Sequence, residues 1–288
     1  MKVWIDGKIT DGAGARIPVT DHGLLYGDGI FEGIRVYGGR VFRLDAHMAR
    51  FEAAARAIAL ELPGGIAAVR EIVLETVRAH GADEAYIRLI ATRGEGALGV
   101  DPTTCSRPRL ICLVDRVCIY PSEKLIAGVD LVTSSVRRPP ADVLDPRVKS
   151  LNYLNNVMAK LEARQRGADE ALMLNVQGMV AEASVANIFV VRGGVLLTPP
   201  ATDGALEGIT RATVLDLAAT LGIPAREQTL GRFDLFAADE AFLTGSGAGV
   251  VPVRSLDGRP LGRGTPGPIY EKIRAAFADA AVGLGTPV

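Results

Sequence analysis

Residues 145–153 read DPRVKSLNY, and Lys149 in this stretch decides how the rest of the chain is interpreted. The stretch ends a proline-rich loop and precedes an apolar pattern that predicts a helix from about Leu151 to Arg166. An amine that acts as a nucleophile needs partial burial, because burial favours its neutral form. By itself, however, the stretch is better explained by a solvated lysine near the start of a helix.

Two segments after Lys149 have the composition of ligand sites. Gly208 comes directly before an amphipathic helix predicted over residues 209–221, and the free N–H groups at such a helix end suit a phosphate. Glu182 is an acid within an otherwise apolar and small-residue stretch, residues 179–189, so it needs a cationic or hydrogen-bonding partner. A protonated pyridine nitrogen would serve, and so would an arginine in a structural pair. Taken singly, both segments also have purely structural explanations.

The first half of the chain predicts a sheet with its helices grouped together. Asp45 is expected to be the N-cap of the first long helix in this half. In chain order we expect a hairpin over residues 34–44 with its turn at Gly38-Gly39, helices over 45–58 and 66–81, and strands over 86–92 and 109–114.

A polar stretch around Asp115–Lys124, interrupted by Pro121, predicts a boundary between two domains. We therefore expect a small N-terminal domain over residues 1–117, a linker over residues 118–126 and a larger C-terminal domain over residues 127–288. Strands are predicted in the second half at residues 129–134, 171–175, 186–191 and 195–198, with a last helix over 269–280.

Composition excludes several classes of protein. The formal net charge of -1 and the lack of a long basic run argue against nucleic acid and membrane surfaces as partners. Polar residues interrupt every apolar run before membrane-spanning length, and the N-terminus has no signal core. The three cysteines lack CxxC spacing and the three histidines form no HExxH pair, so we expect no metal site and reduced thiols in a cytoplasmic protein.

The segment Gly94–Gly99 matches the GxGxxG pattern of dinucleotide-binding proteins and follows a predicted strand. That motif needs a helix directly after it, whose N-terminus receives the pyrophosphate. Here residues 100–104, VDPTT, follow instead, with a proline and β-branched residues. A loop that covers the substrate is the better interpretation, although a nicotinamide-dependent oxidoreductase remains an alternative function.

Taken together and in order, four motifs resemble the branched-chain aminotransferases, which are class IV (fold-type IV) pyridoxal-phosphate enzymes. The motifs are HGLLYGDGIFEGIR at residues 22–35, KSLNY at 149–153, EGITR at 207–211 and TGS at 244–246. The resemblance runs over nearly the whole chain, and the structural explanations given above do not hold for all four motifs jointly. It implies a mixed α+β fold of two domains, a small α/β N-terminal domain and a larger, β-barrel-like C-terminal domain with surrounding helices.

The resemblance also implies a binding role for particular residues. Lys149 resembles the Schiff-base lysine, which also moves a proton between the substrate α-carbon and the cofactor, pyridoxal 5′-phosphate. Glu182 resembles the acid on the pyridine nitrogen, and Tyr153 is similar to the tyrosine that binds the ring hydroxyl. The phosphate would be bound by Arg50, by the backbone N–H groups of Ile209 and Thr210, and by the Ser246 hydroxyl.

By the same resemblance, the first half supplies the pocket for branched-chain amino acids and 2-oxoglutarate, which use it in turn in a ping-pong reaction. The residues at the positions of the family's pocket are Tyr26, Phe31, Arg35, Tyr86 and Arg88. An arginine there could receive the distal carboxylate of glutamate, and the turn at Gly247 and Ala248 would meet the α-carboxylate. The enzyme is expected to be a homodimer at least, each site being completed by a loop of the partner chain.

Two segments depart from the family pattern. EASVAN at residues 182–187 lacks the usual second acid, and GSGAG at residues 245–249 replaces the usual Gly-Thr-Ala-Ala-Glu. The first change is expected to loosen the support of Glu182, and the second to alter carboxylate binding. D-amino acid aminotransferases, (R)-amine transaminases and aminodeoxychorismate lyases of the same fold remain alternatives, as does a scaffold without activity.

Overall fold

The computed structural model describes residues 1–263 and 266–288 of the chain. Its strands are β1 (Lys2–Ile5), β2 (Lys8–Asp11), β3 (Gly29–Tyr37), β4 (Arg40–Phe42), β5 (Ala85–Thr92), β6 (Arg109–Asp115), β7 (Val129–Thr133), β8 (Glu170–Leu174), β9 (Val180–Ala183), β10 (Asn187–Arg192), β11 (Val195–Thr198), β12 (Ala225–Glu227), β13 (Glu240–Gly245), β14 (Gly249–Leu256), β15 (Arg259–Pro260) and β16 (Gly285–Pro287). Its α-helices are α1 (His22–Tyr26), α2 (Leu44–Ala57), α3 (Gly65–His80), α4 (Ser122–Ala127), α5 (Ala141–Leu144), α6 (Leu154–Gln165), α7 (Ile209–Thr220), α8 (Arg232–Phe236) and α9 (Pro268–Gly283).

The chain divides into two compact units. The first comprises Met1–Val117, Val148–Asn152 and Ala281–Val288, and the second comprises Cys118–Arg147 and Tyr153–Ala280. The sequence analysis placed the two outlying segments of the first unit in the C-terminal domain. They belong to the first unit because β16 pairs with β4 and Ser150 bridges to β3. Both contacts join residues far apart in the chain, so no local sequence pattern predicts them. The stretch expected to be a linker contains most of α4.

In the first unit, an antiparallel sheet has the strand order β16-β4-β3-β5-β6-β1-β2. The expected hairpin joins β3 to β4, and its turn residues Gly38 and Gly39 have φ of 55° and 70°, the backbone that a two-residue type I′ turn requires. Strand β5 alternates strictly between buried and half-buried residues over its first six positions. Its buried face, with Ile87 and Leu89, joins the core formed with α2 and α3.

In the second unit, the strands within the described ranges follow the order β12-β11-β10-β13-β14-β7-β8-β9, and β15 pairs with β14. Three neighbouring pairs, β11 with β12, β14 with β7 and β7 with β8, are parallel. Helix α6 packs on this sheet through Ala159 and Ala163, whose small side chains join a cluster with Met173 of β8.

Two helix starts differ from the predictions. Arg43, with φ of 46°, precedes α2, so Asp45 lies in the first turn of that helix and is not its N-cap. The burial of Leu44 explains the shift, since this residue is fully enclosed in the core. Helix α6 begins at Leu154 and not at Leu151, because the backbone N–H of Leu151 donates to the carbonyl of Gly29.

Candidate functional site

Lys149 is held by its own backbone against an open edge of β3. Strand β4 pairs only with Val36 and Tyr37, so the first half of β3 has one edge without a neighbouring strand among the described residues. Residues 149–151 occupy that edge: the N–H of Phe31 donates to the Lys149 carbonyl at 2.9 Å, and Ser150 forms an antiparallel bridge with Ile30. The lysine backbone is therefore fixed, while its side chain extends from a position next to Phe31.

The side chain of Lys149 lies over an aromatic ring. Its Nζ atom is 4.5 Å from the centroid of the Phe31 ring, and the guanidinium carbon of Arg88 is 4.6 Å from the same centroid. Arg88 also donates to the Tyr86 hydroxyl at 3.2 Å. The structure thus brings Lys149, Phe31, Tyr86 and Arg88 together, an arrangement that offers an amine, a second cation and two aromatic surfaces to a small ligand.

The spacing of this cluster follows from the sheet register. Arg35 pairs with Tyr86 and Gly33 pairs with Arg88 across β3 and β5, which places Phe31, Gly33 and Arg35 on the strand face that carries Tyr86 and Arg88. A Cβ atom on Gly33 would overlap the Tyr86 hydroxyl. A glycine at this position is therefore what lets the hydroxyl end of the Tyr86 side chain lie over β3.

Two other predicted pocket residues make their main contacts elsewhere in the first unit. Arg35 forms an ion pair with Glu84 at 3.3 Å. The Tyr26 hydroxyl accepts a hydrogen bond from the Gly99 N–H at 2.8 Å. Tyr26 therefore anchors the loop that carries Gly94–Gly99, and its side chain is 37% exposed.

Arg50 belongs to a buried polar cluster that the sequence analysis did not anticipate. Its Nε and terminal nitrogen donate to the two carboxylate oxygens of Glu32 at 2.8 and 2.7 Å, and His47 Nδ1 lies 2.8 Å from one of these oxygens. Glu32 and His47 are almost completely buried. These two parallel hydrogen bonds between Arg50 and Glu32 fix the plane of the guanidinium group, as bidentate arginine–carboxylate pairs generally do.

The charge state of this cluster follows from the environment of each group. Burial acts to raise the pKa of Glu32, yet the charge of Arg50 and the hydrogen bonds from Arg50 and His47 outweigh it and hold that pKa below its usual range. Burial lowers the pKa of His47, against the attraction of Glu32. The histidine is therefore neutral at pH 7, and Nδ1 must carry the proton because an ionised carboxylate only accepts. The three-residue spacing of His47 and Arg50 places both on one face of α2, and this spacing is the sequence signal from which the cluster could have been predicted.

Glu182, on β9 in the second unit, is buried and fixed by three donors. Arg138 forms an ion pair with its Oε1 atom at 3.0 Å. The side-chain amide of Asn187 and the backbone N–H of Leu206 donate to its Oε2 atom at 3.0 and 3.1 Å. Glu182 has these three donors although the second acid usual in the family is absent, and the effect of that absence on its support stays a prediction. Arg138 and Asn187 were not singled out by the sequence analysis.

The second unit has the free N–H groups of the N-terminus of α7 and two buried hydroxyls without partners. Helix α7 begins at Ile209, as predicted, and Thr210 is in its first turn. The hydroxyl oxygens of Thr210 and Thr244 are buried and have no hydrogen-bond partner in the described part of the chain. Buried hydroxyls are nearly always hydrogen-bonded, so two such orphans in one unit are the feature expected of a site built to receive a polar ligand.

The remaining predicted residues lie at the ends of elements in the second unit. Tyr153 directly precedes α6, and its carbonyl accepts from the Val157 N–H at 2.9 Å. Ser246, Gly247 and Ala248 form the tight connection between β13 and β14, closed by a hydrogen bond from the Ala248 N–H to the Gly245 carbonyl at 3.2 Å.

Three further features bear on possibilities that the sequence analysis raised. Gly94–Gly99 is followed by a single 3-10 turn, Pro102–Thr104, and not by the helix that a dinucleotide motif requires. Among residues 1–263 and 266–288, no group of three or more histidine, cysteine, aspartate and glutamate side chains could hold a metal ion. Over the same residues, no helix has the length and apolar composition needed to cross a membrane.

Comparison with known proteins gives one consistent result. The family model described as Amino-transferase class IV matches residues 29–256. A protein of Methanocaldococcus jannaschii, provisionally named a branched-chain-amino-acid aminotransferase, is 44% identical over an alignment of 290 positions that covers 100% of this chain and 99% of that protein. The crystal structure of the Escherichia coli branched-chain amino acid aminotransferase superposes with a TM-score of 0.94 at 35% identity and covers 99% of this chain and 95% of its own. The branched-chain amino acid aminotransferase of Thermobaculum terrenum, in its PLP (holo) form, superposes with a TM-score of 0.87 at 31% identity, over 98% of this chain and 94% of its own.

Proposed function

Because this chain belongs to the class IV aminotransferases, we propose that it transfers the amino group of leucine, isoleucine or valine to 2-oxoglutarate in a ping-pong reaction, with Lys149 holding pyridoxal 5′-phosphate. The observation that carries this proposal is the position of Lys149. Its backbone is fixed at the edge of β3, and its amine lies 4.5 Å from the centroid of the Phe31 ring, which the Arg88 guanidinium also contacts.

The residues of the second unit fit the cofactor of this family. Pyridoxal 5′-phosphate supplies an aldehyde that condenses with amines and a ring that accepts electron density. Glu182, held by Arg138 and Asn187, offers a fixed carboxylate to the ring nitrogen. The N-terminus of α7 and the unpartnered hydroxyl of Thr210 suit the phosphate, since both donate hydrogen bonds to an anion.

The other cofactor contacts are proposed from the family resemblance. Arg50 would add a positive charge at the phosphate, and its orientation is set by Glu32. Ser246 would donate from its hydroxyl, and Tyr153 would bind the ring hydroxyl. Lys149 Nζ would take the proton from the substrate α-carbon and deliver it to the cofactor, so that one lysine would serve as both the anchor and the base.

The substrate side chain is proposed to lie against Phe31 and Tyr86. Two aromatic rings offer an apolar surface to a branched aliphatic chain. Arg88, which contacts both rings, can turn its guanidinium toward the distal carboxylate of glutamate when the second substrate replaces the first. Gly247 and Ala248 would meet the α-carboxylate, and Tyr26 and Arg35 would complete the pocket.

A substrate panel with both enantiomers tests the proposal. The wild-type protein and Lys149→Ala are assayed with L- and D-leucine, L- and D-glutamate and an (R)-amine, with Lys272→Ala as control because Lys272 is exposed on α9. We expect turnover of the L-amino acids by the wild type and the control, and a loss of about a thousandfold or more in Lys149→Ala, whose nucleophile is gone. Turnover by Lys149→Ala near the wild-type level would contradict the role of the lysine. A preference for D-amino acids or amines would select the alternative activities.

The assembly, which is drawn from the resemblance, and the cellular location are also proposals. We propose a homodimer or higher oligomer, which light scattering on the purified protein tests directly. A cytoplasmic location is proposed from the three unpaired cysteines, Cys105, Cys112 and Cys118.

Burial raises the pKa of the Cys112 thiol to about 12, so this cysteine is a poor nucleophile and a packing residue.

A further inference from the structure

Arg138 touches the proposed ring-nitrogen acid and is itself enclosed by the protein. It is 4% exposed, and each of its guanidinium nitrogens has a defined acceptor. One terminal nitrogen pairs with Glu182 at 3.0 Å, the other donates to the Asn156 side-chain oxygen at 3.0 Å, and Nε donates to the Gly204 carbonyl at 3.1 Å. A planar fork held at three points has very little freedom to turn.

The same contacts fix the segment that carries Glu182. Asn156 of α6 accepts from Arg138 and donates to the backbone carbonyl of Ser184 at 2.7 Å, two residues beyond the acid. Arg138 is thus linked to Glu182 both directly and through Asn156 and Ser184. The arrangement controls where the carboxylate points as well as which charge faces it.

We propose that Arg138 is a positioning residue that keeps Glu182 charged and oriented for the ring nitrogen of the cofactor, without contacting the cofactor itself. The inference rests on the proposed role of Glu182. A buried carboxylate without a cation is strongly destabilised and is relieved by taking up a proton. A neutral Glu182 would no longer balance the positive charge of a protonated ring nitrogen.

The other buried charges near this segment are compensated separately. Glu170, on the neighbouring strand β8, accepts from Lys160 at 2.7 Å, from the Tyr120 hydroxyl at 3.0 Å and from the Ser184 hydroxyl. Arg211, in the first turn of α7, pairs with Glu227 at 3.0 Å. Arg138 is therefore the cation that the structure assigns to Glu182 among the described contacts of that acid.

The test is a titration of the cofactor-free, full-length protein with pyridoxal 5′-phosphate, followed by fluorescence between pH 6 and pH 9. Arg138→Met keeps much of the length of the side chain and removes its charge. Arg138→Lys keeps the charge but replaces the planar guanidinium, which reaches three partners, with a single ammonium group. Arg137→Met is the matched control, because Arg137 is exposed and donates to the carbonyl of Ser134. We expect Arg138→Met to weaken binding about tenfold to a hundredfold, as the loss of a charge-assisted hydrogen bond does. We expect Arg138→Lys to recover part of this affinity and Arg137→Met to bind as the wild type.

The pH dependence separates positioning from general damage to the fold. The loss in Arg138→Met should grow as the pH falls, because the unpaired Glu182 then binds a proton more completely. It should be flat with pH in the double variant Arg138→Met/Glu182→Gln, which has no acid to titrate and should also unfold at a higher temperature than Arg138→Met. Binding by Arg138→Met within twofold of the wild type, or a loss equal at every pH, would overturn the inference. If Glu182→Gln alone binds the cofactor normally, the proposed role of Glu182 fails instead.

Discussion

We propose that Arg88 allows one pocket to accept both a branched aliphatic side chain and the distal carboxylate of glutamate. Its guanidinium stacks near Phe31 and donates to Tyr86, so the same side chain borders an apolar surface and offers charged donors. A pocket of this kind can accept an aliphatic chain with the arginine turned toward Tyr86. It can accept a carboxylate with the arginine turned toward the ligand. Arg88 loses little free energy when its guanidinium moves away from these rings, because a cation–π contact at a half-exposed site contributes only about 0.5–1 kcal/mol.

Replacing Arg88 should therefore separate the two substrates. We expect Arg88→Ala to reduce kcat/KM for glutamate and 2-oxoglutarate by about tenfold to a hundredfold, the effect of one lost charge-assisted contact. The value for leucine should change much less, since its side chain needs no cation. Steady-state kinetics with each substrate measures this, with Arg78→Ala on the exposed surface of α3 as control. Equal losses on all substrates would count against Arg88 as the receptor of the distal carboxylate.

Strand β3 positions two groups of side chains in the first unit that we propose to be part of the site. One of its faces carries Phe31 beside Lys149, and the other carries Glu32 beside His47 and Arg50. Adjacent residues of a strand point to opposite faces, so two neighbouring side chains serve two different groups. A one-residue shift in the pairing with β5 would exchange the two faces and place the acid where the aromatic ring belongs.

The link between β3 and α2 should be visible in the pH dependence of stability. The lowered pKa of Glu32 means that this carboxylate stabilises the fold above its usual value of 4.5, and that the stabilisation is lost as the pH falls below that value toward the lowered pKa. We expect Glu32→Gln to cost about 3 kcal/mol at pH 7, as the loss of one partner of a buried ion pair does. Chemical denaturation at pH 7 and pH 3.5 measures the difference between variant and wild type. A difference that is the same at both pH values, or larger at pH 3.5, would contradict this account.

Elements with a local signal were predicted well, and long-range contacts were not. The alternation in β5 placed Tyr86 and Arg88 on one face, and Gly208 marked the start of α7. The helix start at Leu154 was misplaced, because residues 149–151 use their backbone groups to pair with β3. An arginine was among the partners considered for Glu182, but its identity as Arg138 was missed for the same reason: nothing near either residue in the sequence specifies the pairing.

At the scale of the whole molecule, the motifs predicted more than the local patterns did. The family, the enzyme class, the pyridoxal 5′-phosphate cofactor and the fold-type IV architecture expected from four motifs are confirmed by the family match over residues 29–256 and by the superposition on aminotransferase structures. The antiparallel sheet of the first unit and the larger, mixed sheet of the second unit, with their helices, agree with that architecture. The division of the chain into units was harder to predict, because β16 returns from the C-terminus to pair with β4. The roles of the site residues remain predictions, and all of them depend on the proposal that Lys149 holds the cofactor.

Reduction of the protein loaded with pyridoxal 5′-phosphate by borohydride, followed by peptide mass mapping, tests the central claim most directly. The chemistry makes the bond between cofactor and amine permanent, so the modified lysine can be read from the peptide masses. We predict a single pyridoxyl adduct on Lys149, and no adduct on Lys2, Lys8, Lys124, Lys160 or Lys272 at one equivalent of cofactor. An adduct on any of these other lysines with Lys149 unmodified, or a protein that retains no adduct after reduction, would contradict the account.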